Sequence, residues 1–278
     1  MSAFGTIGED LVAMVVDDLV VCGAEPLFMT DYIAIGKVVP EKVAALVAGI
    51  ANGCKKAGTA LIGGETAEHP GLLEPDEFDL AGAATGVVEQ DKLLGSELVA
   101  AGDVIIAMAS SGLHTNGFSL VRQIIKHVGW ELDRDIPEFG HSLGEELMIP
   151  TRIYALDALA LARDEASMVH AMAHITGGGL AANLARVIPD GLYATVDRSA
   201  WELPPVFEVL AQAGNLEQLE LERTLNVGVG MVALVDPAGA DRALALLAQL
   251  GQVAFIVGEI TAKSGLGGAA LVGDYRNR

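Results

Sequence analysis

Short apolar runs that stop at segments rich in glycine and hydroxyl side chains are the feature that most constrains the fold of this 278-residue chain. The three clearest segments are residues 60–71, residues 110–117 and residues 173–183. Glycine lets a backbone turn sharply and approach a ligand closely, because it has no Cβ. Where such a segment opens a helix, its N–H groups and the helix dipole favour an anion. The pattern predicts strands that lead through phosphate-binding loops into helices.

In the first segment, Gly63 and Gly64 are followed directly by Glu65 and Thr66. A carboxylate offers the hard oxygen ligands that Mg²⁺ prefers, and the glycines allow a phosphate to approach the backbone. We therefore expect a strand over residues 59–62 to end in a tight turn that holds a phosphate and its metal. The alternative is an ordinary turn after a strand, since paired glycines are common turn residues.

The second and third segments each lie between a predicted strand and a predicted helix. Residues 110–117 carry three hydroxyl groups and precede a helix expected over residues 118–128, and the glycines at 177–179 precede one expected over residues 180–187. Successive backbone N–H groups form nests that bind anions. The second segment is not a Walker loop, because no Gly-Lys-Ser/Thr follows it. Its alternative interpretation is a capped helix after a tight turn.

Carboxylates on the first predicted helix are further candidates. Residues 7–21 suit a helix that ends near Gly23, with Asp10 and Asp17 on one side and Asp18 among apolar neighbours. A carboxylate facing apolar neighbours requires a cation or a metal, or has a raised pKa. The alternative is that the Asp18 carboxylate reaches water at the end of the helix.

Two basic side chains stand out in the second half of the chain. Pro150 is expected to begin a long helix, which would put Arg152 in a first turn where the dipole disfavours cations. A ligand or carboxylate nearby would explain it, and a surface arginine is the alternative. His174 precedes the third glycine segment and has a pKa range suited to proton transfer near neutrality, although a single histidine is often structural.

Composition excludes several classes of function. The formal net charge of −20 argues against nucleic-acid and anionic-membrane partners, which favour a basic face. The apolar content of 51% is high, but charges interrupt every run before the roughly 18 residues of a membrane span. The start lacks a secretory signal, and two cysteines, Cys22 and Cys54, suggest small core residues and no disulfide framework. We expect a cytoplasmic protein.

Strands and helices are expected to alternate along the chain, in either an α/β or an antiparallel α+β arrangement. Apolar patterning pauses at residues 95–102, so we expect two domains, 1–98 and 99–278. Zinc-protease, paired Cys-x-x-Cys, serine-hydrolase and dinucleotide-turn motifs do not occur. Glycine loops with carboxylates fit phosphoryl transfer, where positioning and electrostatics do most of the work. The remaining expected elements are strands at 27–35, 79–88, 103–109, 224–235 and 253–260, helices at 40–57 and 241–250, and an irregular connection at 131–143.

Taken together, eight motifs closely resemble the phosphoribosylformylglycinamidine cyclo-ligase family, the aminoimidazole ribonucleotide synthetases of purine biosynthesis. They occupy residues 10–14, 18–21, 23–26, 31–32, 63–67, 110–112, 150–154 and 176–179. The match follows the family's order over nearly the whole chain, from about Thr6. It implies an α+β subunit of two domains, each a mixed or antiparallel sheet with helices packed on it. It also implies a homodimer with ATP near the dimer interface.

The reaction implied by the resemblance is ATP-driven ring closure of formylglycinamidine ribonucleotide to aminoimidazole ribonucleotide, ADP and phosphate. Residues implied for ATP and Mg²⁺ are Asp18, Gly63, Gly64, Glu65 and Thr66, with the metal on Asp18 and Glu65. Residues implied for the nucleotide substrate or the phosphoryl group are Ser111, Gly112, Asn116, Arg152, Thr176, Gly177, Gly178 and Gly179. His114 and His174 are the candidates for proton transfer.

The chain departs from the family at its start. Relatives carry an N-terminal segment with a Gly-Thr-Asp-Gly-Val-Gly-Thr-Lys-like strand, which supplies a further metal-binding Asp and a Lys, and this sequence does not contain it. Gly5 and Asp17 stand where relatives often have Asp and Asn. We expect either a truncated chain or a natural short form. The alternatives are an enzyme similar to selenophosphate synthetase, thiamine-monophosphate kinase or the hydrogenase-maturation dehydratase, or an inactive dimerising fragment.

Overall fold

The computed structural model describes residues 4–277, and the chain divides into two compact units. The first unit contains the residues up to 93 together with Pro150–Leu159. The second contains Leu94–Ile149 and the residues from 160 onward. The predicted domains, 1–98 and 99–278, did not include this return of the chain to its first unit.

The first unit is a three-stranded mixed sheet with two helices. Strand β1 lies in the centre, parallel to β2 and antiparallel to β3. Met29 and Ile33 of β1 are buried, and Ile33 packs in a cluster with Leu46 of the second helix. The helices therefore cover one face of the sheet. The elements are α1 (Ile7–Val20), β1 (Glu25–Ile35), α2 (Pro40–Ala57), β2 (Ala60–Glu68) and β3 (Phe78–Val87).

Local chemistry explains the ends of helix α2. Pro40 begins it with a fixed φ suited to a first turn, and Gly58 ends it in a left-handed conformation, with φ of 71°. Glycine also sets the approach of the two helices. A Cβ on Gly8 of α1 would overlap the backbone N of Ile50 in α2. The two helices therefore pack with their backbones in contact.

The second unit contains a six-stranded sheet in the order β11-β8-β10-β4-β9-β7. Neighbouring strands are antiparallel except for β11 and β8, which are parallel. The predicted α+β fold with mixed sheets is therefore confirmed. The elements are β4 (Val104–Ala109), α3 (Phe118–Val128), β5 (Asp135–Ile136), β6 (His141–Ser142), α4 (Leu143–Leu147), β7 (Val169–His174), α6 (Gly179–Ala185), β8 (Leu192–Asp197), α7 (Pro205–Gly214), α8 (Gln218–Thr224), β9 (Val229–Val235), α9 (Ala240–Gln249), β10 (Ala254–Ala262) and β11 (Gly268–Val272). Helix α5 (Ala155–Arg163) begins in the first unit, which contains its residues up to Leu159.

Strand β9 is the centre of the second unit's core, since all seven of its residues are buried. Phe207 of α7 and Trp201 pack in the same cluster, and the Trp201 ring meets that of Tyr275 edge-on at 5.3 Å between centroids. Each such side chain contributes about 1.5–3 kcal/mol when it is fully buried. The sheet therefore provides a firm base for the loops at its ends.

Four expectations about local structure were wrong. Residues 63–66 form no turn and lie inside β2, because they pair with β1. Residues 151–154 are not helical, and α5 begins only at Ala155. The strand expected from 224 begins at Val229, after helix α8. Two short strands, β5 and β6, occupy part of the connection expected to be irregular.

Two other expectations concerned the burial of the cysteines and the lack of a membrane span. Cys54 is buried as predicted, whereas Cys22 is only partly buried. Burial, and the nearby charge of Asp31, raise the pKa of the Cys54 thiol to about 11. No helix within residues 4–277 combines the length and the apolar character needed to cross a membrane.

Candidate functional site

The first glycine segment lies in strand β2, at one edge of the first unit's sheet. Gly63 pairs with Thr30 and Glu65 with Tyr32 in the parallel register. The register shifts just before this point, so that Ile62 is an extra residue on β2. Such a bulge re-aims the side chains that follow it and often lies beside a functional site. Glu65 is exposed, and its Oε1 accepts the N–H of Thr66 at 3.1 Å.

Gly64 is required for a reason that the sequence did not indicate. A Cβ at this position would overlap the carboxylate of Asp31, its register partner on β1. Asp31 is only 8% exposed, and this burial raises the pKa of its carboxyl. The glycine therefore makes room for a buried carboxylate next to the exposed Glu65.

The carboxylates of α1 are arranged differently from the prediction. Asp17 is fully buried and Asp18 is exposed, so the expectation that Asp18 faces apolar neighbours was wrong. Both Asp17 oxygens accept the backbone N–H of Tyr154 at 3.1 Å. Asp10 Oδ1 accepts the N–H of Thr151 at 2.7 Å. Asp10 and Asp17 do share one side of the helix, and that side binds the returning segment 150–154.

Burial raises the pKa of Asp10, against the opposing effect of its hydrogen bonds from Thr151. Arg152 lies in the same segment, outside any helix, so the argument from a helix dipole does not apply to it. Its Nη2 lies 3.2 Å from Asp157 Oδ2, and its guanidinium is 5.9 Å from the centre of the Tyr154 ring. Asp157 is therefore a carboxylate partner of Arg152 within the first unit.

In the second unit, one buried side chain holds the loop at residues 110–117. Asn226 donates from Nδ2 to the carbonyls of Gly112 at 2.9 Å and Leu113 at 3.1 Å. Its Oδ1 accepts from Ser110 Oγ at 3.2 Å and from the N–H of Gly228 at 2.9 Å. The loop is thus tied to the connection between α8 and β9.

A second asparagine holds the loop at residues 176–179 in the same manner. Asn183 Nδ2 donates to the carbonyls of Thr176 and Gly177, both at 3.2 Å, and of Gly179 at 2.8 Å. Thr176 Oγ1 completes the arrangement by donating to Asn183 Oδ1 at 3.2 Å. Gly178 and Gly179 have φ of 99° and 76°, which the glycine run permits.

The two loops are neighbours. Asn116 Oδ1 lies 3.5 Å from the point that a Cβ on Gly177 would occupy. The end of α8 lies against both loops: a Cβ on Gly179 would overlap the Glu222 carbonyl, and one on Gly117 would overlap the Leu225 side chain. The second unit therefore brings Asn116 of the 110–117 loop next to Gly177 of the 176–179 loop.

Both candidate histidines belong to this unit and are buried. His114 has a φ of 58°, uncommon for a residue other than glycine, and its Nε2 accepts the N–H of Ser111 at 3.2 Å. That nitrogen therefore carries no proton, by assignment from its hydrogen bond. His174 is the last residue of β7, two residues before Thr176.

A cavity of about 450 Å³ borders Gly178, on the side of α6 that faces β11. Its walls are mostly small side chains such as Ala181 and Ala270, and no residue of the 110–117 loop lines it. The cavity therefore adjoins the 176–179 loop at Gly178 and lies apart from the 110–117 loop. Residues 4–277 contain no group of three His, Cys, Asp or Glu side chains placed to hold a metal ion.

Sequence reasoning missed Asn183 and Asn226. Each is almost inaccessible to solvent, at 1% and 4% exposure. A signal was present, because each is a polar residue with leucine on one side and apolar residues around it. Buried amides of this kind require hydrogen-bond partners, and here the partners are loop carbonyls.

Comparisons with known proteins agree across both units. The family described as AIR synthase related protein matches with its N-terminal domain at residues 2–88 and its C-terminal domain at residues 100–269. A phosphoribosylformylglycinamidine cyclo-ligase of Desulfitobacterium hafniense is 48% identical over 264 residues, which is 95% of this chain and 77% of the relative. One from Sorangium cellulosum is 49% identical over 256 residues, 92% of this chain and 74% of the relative.

Solved structures share the fold at lower identity. The hydrogenase maturation protein HypE of E. coli superposes with a TM-score of 0.69 at 21% identity, covering 96% of this chain and 76% of that one. Thiamine-monophosphate kinase from Stenotrophomonas maltophilia gives 0.70 at 19%, covering 96% and 79%. At this level of identity, the structural similarities show only that the fold is shared. The sequence matches go further: the chain belongs to the AIR synthase related family and, within it, to the phosphoribosylformylglycinamidine cyclo-ligases.

Proposed function

We propose that this chain catalyses the ATP-dependent ring closure of formylglycinamidine ribonucleotide to aminoimidazole ribonucleotide. The observation that carries the proposal is the 48% identity to the Desulfitobacterium cyclo-ligase over 264 residues, which include both units. ATP phosphorylates the formyl amide oxygen of the substrate. The neighbouring nitrogen then attacks the same carbon, and the oxygen leaves as phosphate while ADP is released.

ATP and Mg²⁺ are assigned to the first unit, on Asp18, Gly63, Gly64, Glu65 and Thr66. The chemistry of the donors supports this assignment, because Asp18 and Glu65 are exposed carboxylates. Mg²⁺ in proteins commonly takes one or two carboxylates and completes its octahedron with water and phosphate oxygens, so no larger cluster is required. When bound, the ion neutralises charge that develops on the phosphates.

The nucleotide substrate or the transferred phosphoryl group is assigned to Ser111, Gly112, Asn116 and residues 176–179. The approach of Asn116 to Gly177 and the positions of the two loops at the starts of α3 and α6 support this role. Arg152 stays a predicted substrate residue. Proton transfer stays with His114 and His174; the hydrogen bond that His114 accepts from its own loop favours His174 for the role.

A homodimer is also proposed, on the evidence of the sheet face that α1 and α2 leave uncovered. Large apolar side chains on the three strands of the first unit are exposed, with Ile62 at 61% and Val87 at 53%. Apolar groups gathered on one sheet commonly mark a protein interface. Light scattering after gel filtration tests this, and Ile62→Glu is expected to shift a dimer toward monomer. We place the protein in the cytoplasm, because it resembles metabolic enzymes and its cysteines are free.

The decisive experiment measures ADP and aminoimidazole ribonucleotide formed from Mg²⁺-ATP and formylglycinamidine ribonucleotide. A second version of the protein carries the N-terminal segment of a relative. Turnover by either version supports the proposal. Silence in both, with turnover of thiamine monophosphate or selenide instead, would overturn it in favour of another enzyme with this fold.

The ATP assignment has its own test in Glu65→Gln. This change is expected to raise the Kd for Mg²⁺-ATP about tenfold without moving the melting temperature, since Glu65 is exposed. Glu41→Gln, on the exposed surface of α2, is the matched control and should leave the affinity unchanged. A large loss of thermal stability in Glu65→Gln would instead indicate a structural role.

A further inference from the structure

The carbonyl groups held by Asn183 and Asn226 determine where the loop amides point. In a trans peptide the C=O of one residue and the N–H of the next lie on opposite sides of the bond. Asn183 holds the carbonyls of Thr176 and Gly177, so the N–H groups of Gly177 and Gly178 point away from it. Asn226 acts in the same way on the peptide groups that follow Gly112 and Leu113.

The backbone around Asn226 is strained in a manner that supports this role. Val227, the next residue, has a φ of 48°, an outlier for a β-branched side chain. The strained peptide is held from both sides, because Asn226 Oδ1 accepts the N–H of Gly228 at 2.9 Å and Trp201 Nε1 donates to the Val227 carbonyl at 2.9 Å. Strain of this kind persists only where surrounding contacts fix the conformation.

Both loops lie against the end of α8. The Glu222 side chain there accepts two bonds of 2.7 Å from Arg198 and one of 2.9 Å from the Tyr275 hydroxyl. The Glu222 carbonyl lies where a Cβ on Gly179 would be. Asn226 follows four residues later in the same segment. Movement of this segment would displace both loops together.

We infer that Asn183 and Asn226 are positioning residues that aim the backbone N–H groups of the two loops at an oxyanion of the ribonucleotide substrate. The inference rests on the proposed function, because it assigns both loops to that substrate. The asparagines touch the loop carbonyls and act through the backbone. Neither belongs to the residues that the sequence motifs suggested for substrate contact.

The test uses Asn183→Asp and Asn226→Asp in the full chain. Aspartate keeps the size and the acceptor oxygen but, when ionised, loses the N–H donors and repels the carbonyls. We expect the KM for the ribonucleotide to rise on the order of 10–100-fold in each variant, with the KM for ATP within about twofold of the wild type. Asn277→Asp is the control for the loss of an amide donor, because Asn277 Nδ2 donates to the Leu203 carbonyl at 3.1 Å from an exposed position, and this variant should behave as the wild type.

A binding measurement separates this inference from the proposed function. Inorganic phosphate is titrated into protein labelled with ¹⁵N-glycine, and the amide shifts of Gly177 and Gly178 are followed. These shifts should occur in the wild type and in Asn277→Asp and be absent in Asn183→Asp. Lowering the pH should restore them, because a protonated aspartate regains one donor.

The possible outcomes are distinct. Folded aspartate variants that keep the wild-type KM and the phosphate-induced shifts would overturn the inference. If the wild type binds phosphate, but neither it nor the version with a relative's N-terminal segment turns over the ribonucleotide and thiamine monophosphate or selenide is turned over instead, the proposed function is refuted. The role of the asparagines in anion binding then stands on the binding data. If an aspartate variant fails to fold, Asn183→Ala and Asn226→Ala replace it, because alanine removes the donors without adding a charge. The same two quantities are then measured, the KM for the ribonucleotide and the phosphate-induced amide shifts.

Discussion

Gly63 and Gly64 of the first unit lie inside a strand, whereas Gly178 and Gly179 of the second unit adopt left-handed backbone in a loop. In the first unit the glycine at 64 makes room for a neighbouring side chain, Asp31. In the second unit the two glycines are needed because their own backbone is left-handed. The buried side-chain amide of Asn183 then fixes that backbone through a hydrogen bond to the Gly179 carbonyl. Similar glycine pairs therefore serve different physical needs, and the second loop is organised before any ligand arrives.

The largest expected effect is that of Gly179→Ala. A left-handed φ of 76° and overlap of the new Cβ with the Glu222 carbonyl act together, and we expect the free energy of unfolding to fall by roughly 3 kcal/mol. Urea unfolding measures it. Gly178→Ala shares the left-handed strain but meets only Ala182 at 3.4 Å, so it should cost about 1–2 kcal/mol. Equal losses would mean that the Glu222 contact does not matter.

A smaller effect is expected for Gly64→Ala, which forces a methyl group against the Asp31 carboxylate. We expect a loss of about 2 kcal/mol in the free energy of unfolding. In the background Asp31→Ala the same change should cost much less, since the overlapping group is gone, and a double-mutant cycle measures this coupling. Additive losses would contradict the explanation for the glycine.

The pH dependence of stability gives a finer view of Asp31. The pKa of the Asp31 carboxyl is raised above its ordinary 3.8, so the folded state disfavours the ionised form. The stabilising contribution of the carboxyl is therefore fully present below pH 3.8. It is lost as the pH rises through the raised pKa. Relative to wild type, Asp31→Asn should therefore gain stability as pH rises from about 3 to about 7. Urea midpoints across this range measure the gain. A difference that does not change with pH would show that Asp31 is not desolvated.

The smallest expected effect is that of Gly63→Ala. No atom lies within 4 Å of the new Cβ, and Gly63 has no left-handed φ, so stability should change by less than about 0.5 kcal/mol. The affinity for Mg²⁺-ATP gives the sharper comparison. A loss of affinity at unchanged stability would support close approach of a phosphate to this strand edge. A large loss of stability would contradict the contrast between the units.

Elements determined by local chemistry were predicted well from the sequence. Helix α2 begins at Pro40 and ends before Gly58, as the sequence indicated, and α3 occupies 118–128 between two left-handed glycines. Fixed φ at proline and freedom at glycine act within a few residues, so a single sequence reveals them. The α+β fold and the family were likewise confirmed.

Features determined by distant partners were missed. Residues 63–66 are extended because they pair with β1, more than thirty residues earlier. Asp17 rather than Asp18 is buried, because Tyr154 supplies its hydrogen-bond donor from far along the chain. The carbonyls that Asn226 binds lie more than a hundred residues before it. Local propensity carries no information about such distant partners. The individual roles of the candidate site residues stay predictions.

The return of residues 150–159 to the first unit has a consequence for synthesis on the ribosome. Domains generally fold as units while the chain emerges at about 5–20 residues per second. Helix α1 and the sheet of the first unit are synthesised early. Asp10 and Asp17 accept hydrogen bonds from the N–H groups of Thr151 and Tyr154. These two donors are synthesised only some sixty residues after the last strand of the unit ends. A pause of several seconds therefore separates the appearance of this unit's sheet from the closure of its buried acidic side. During that interval a nascent chain is exposed to chaperones and proteases in a state that the finished protein does not visit.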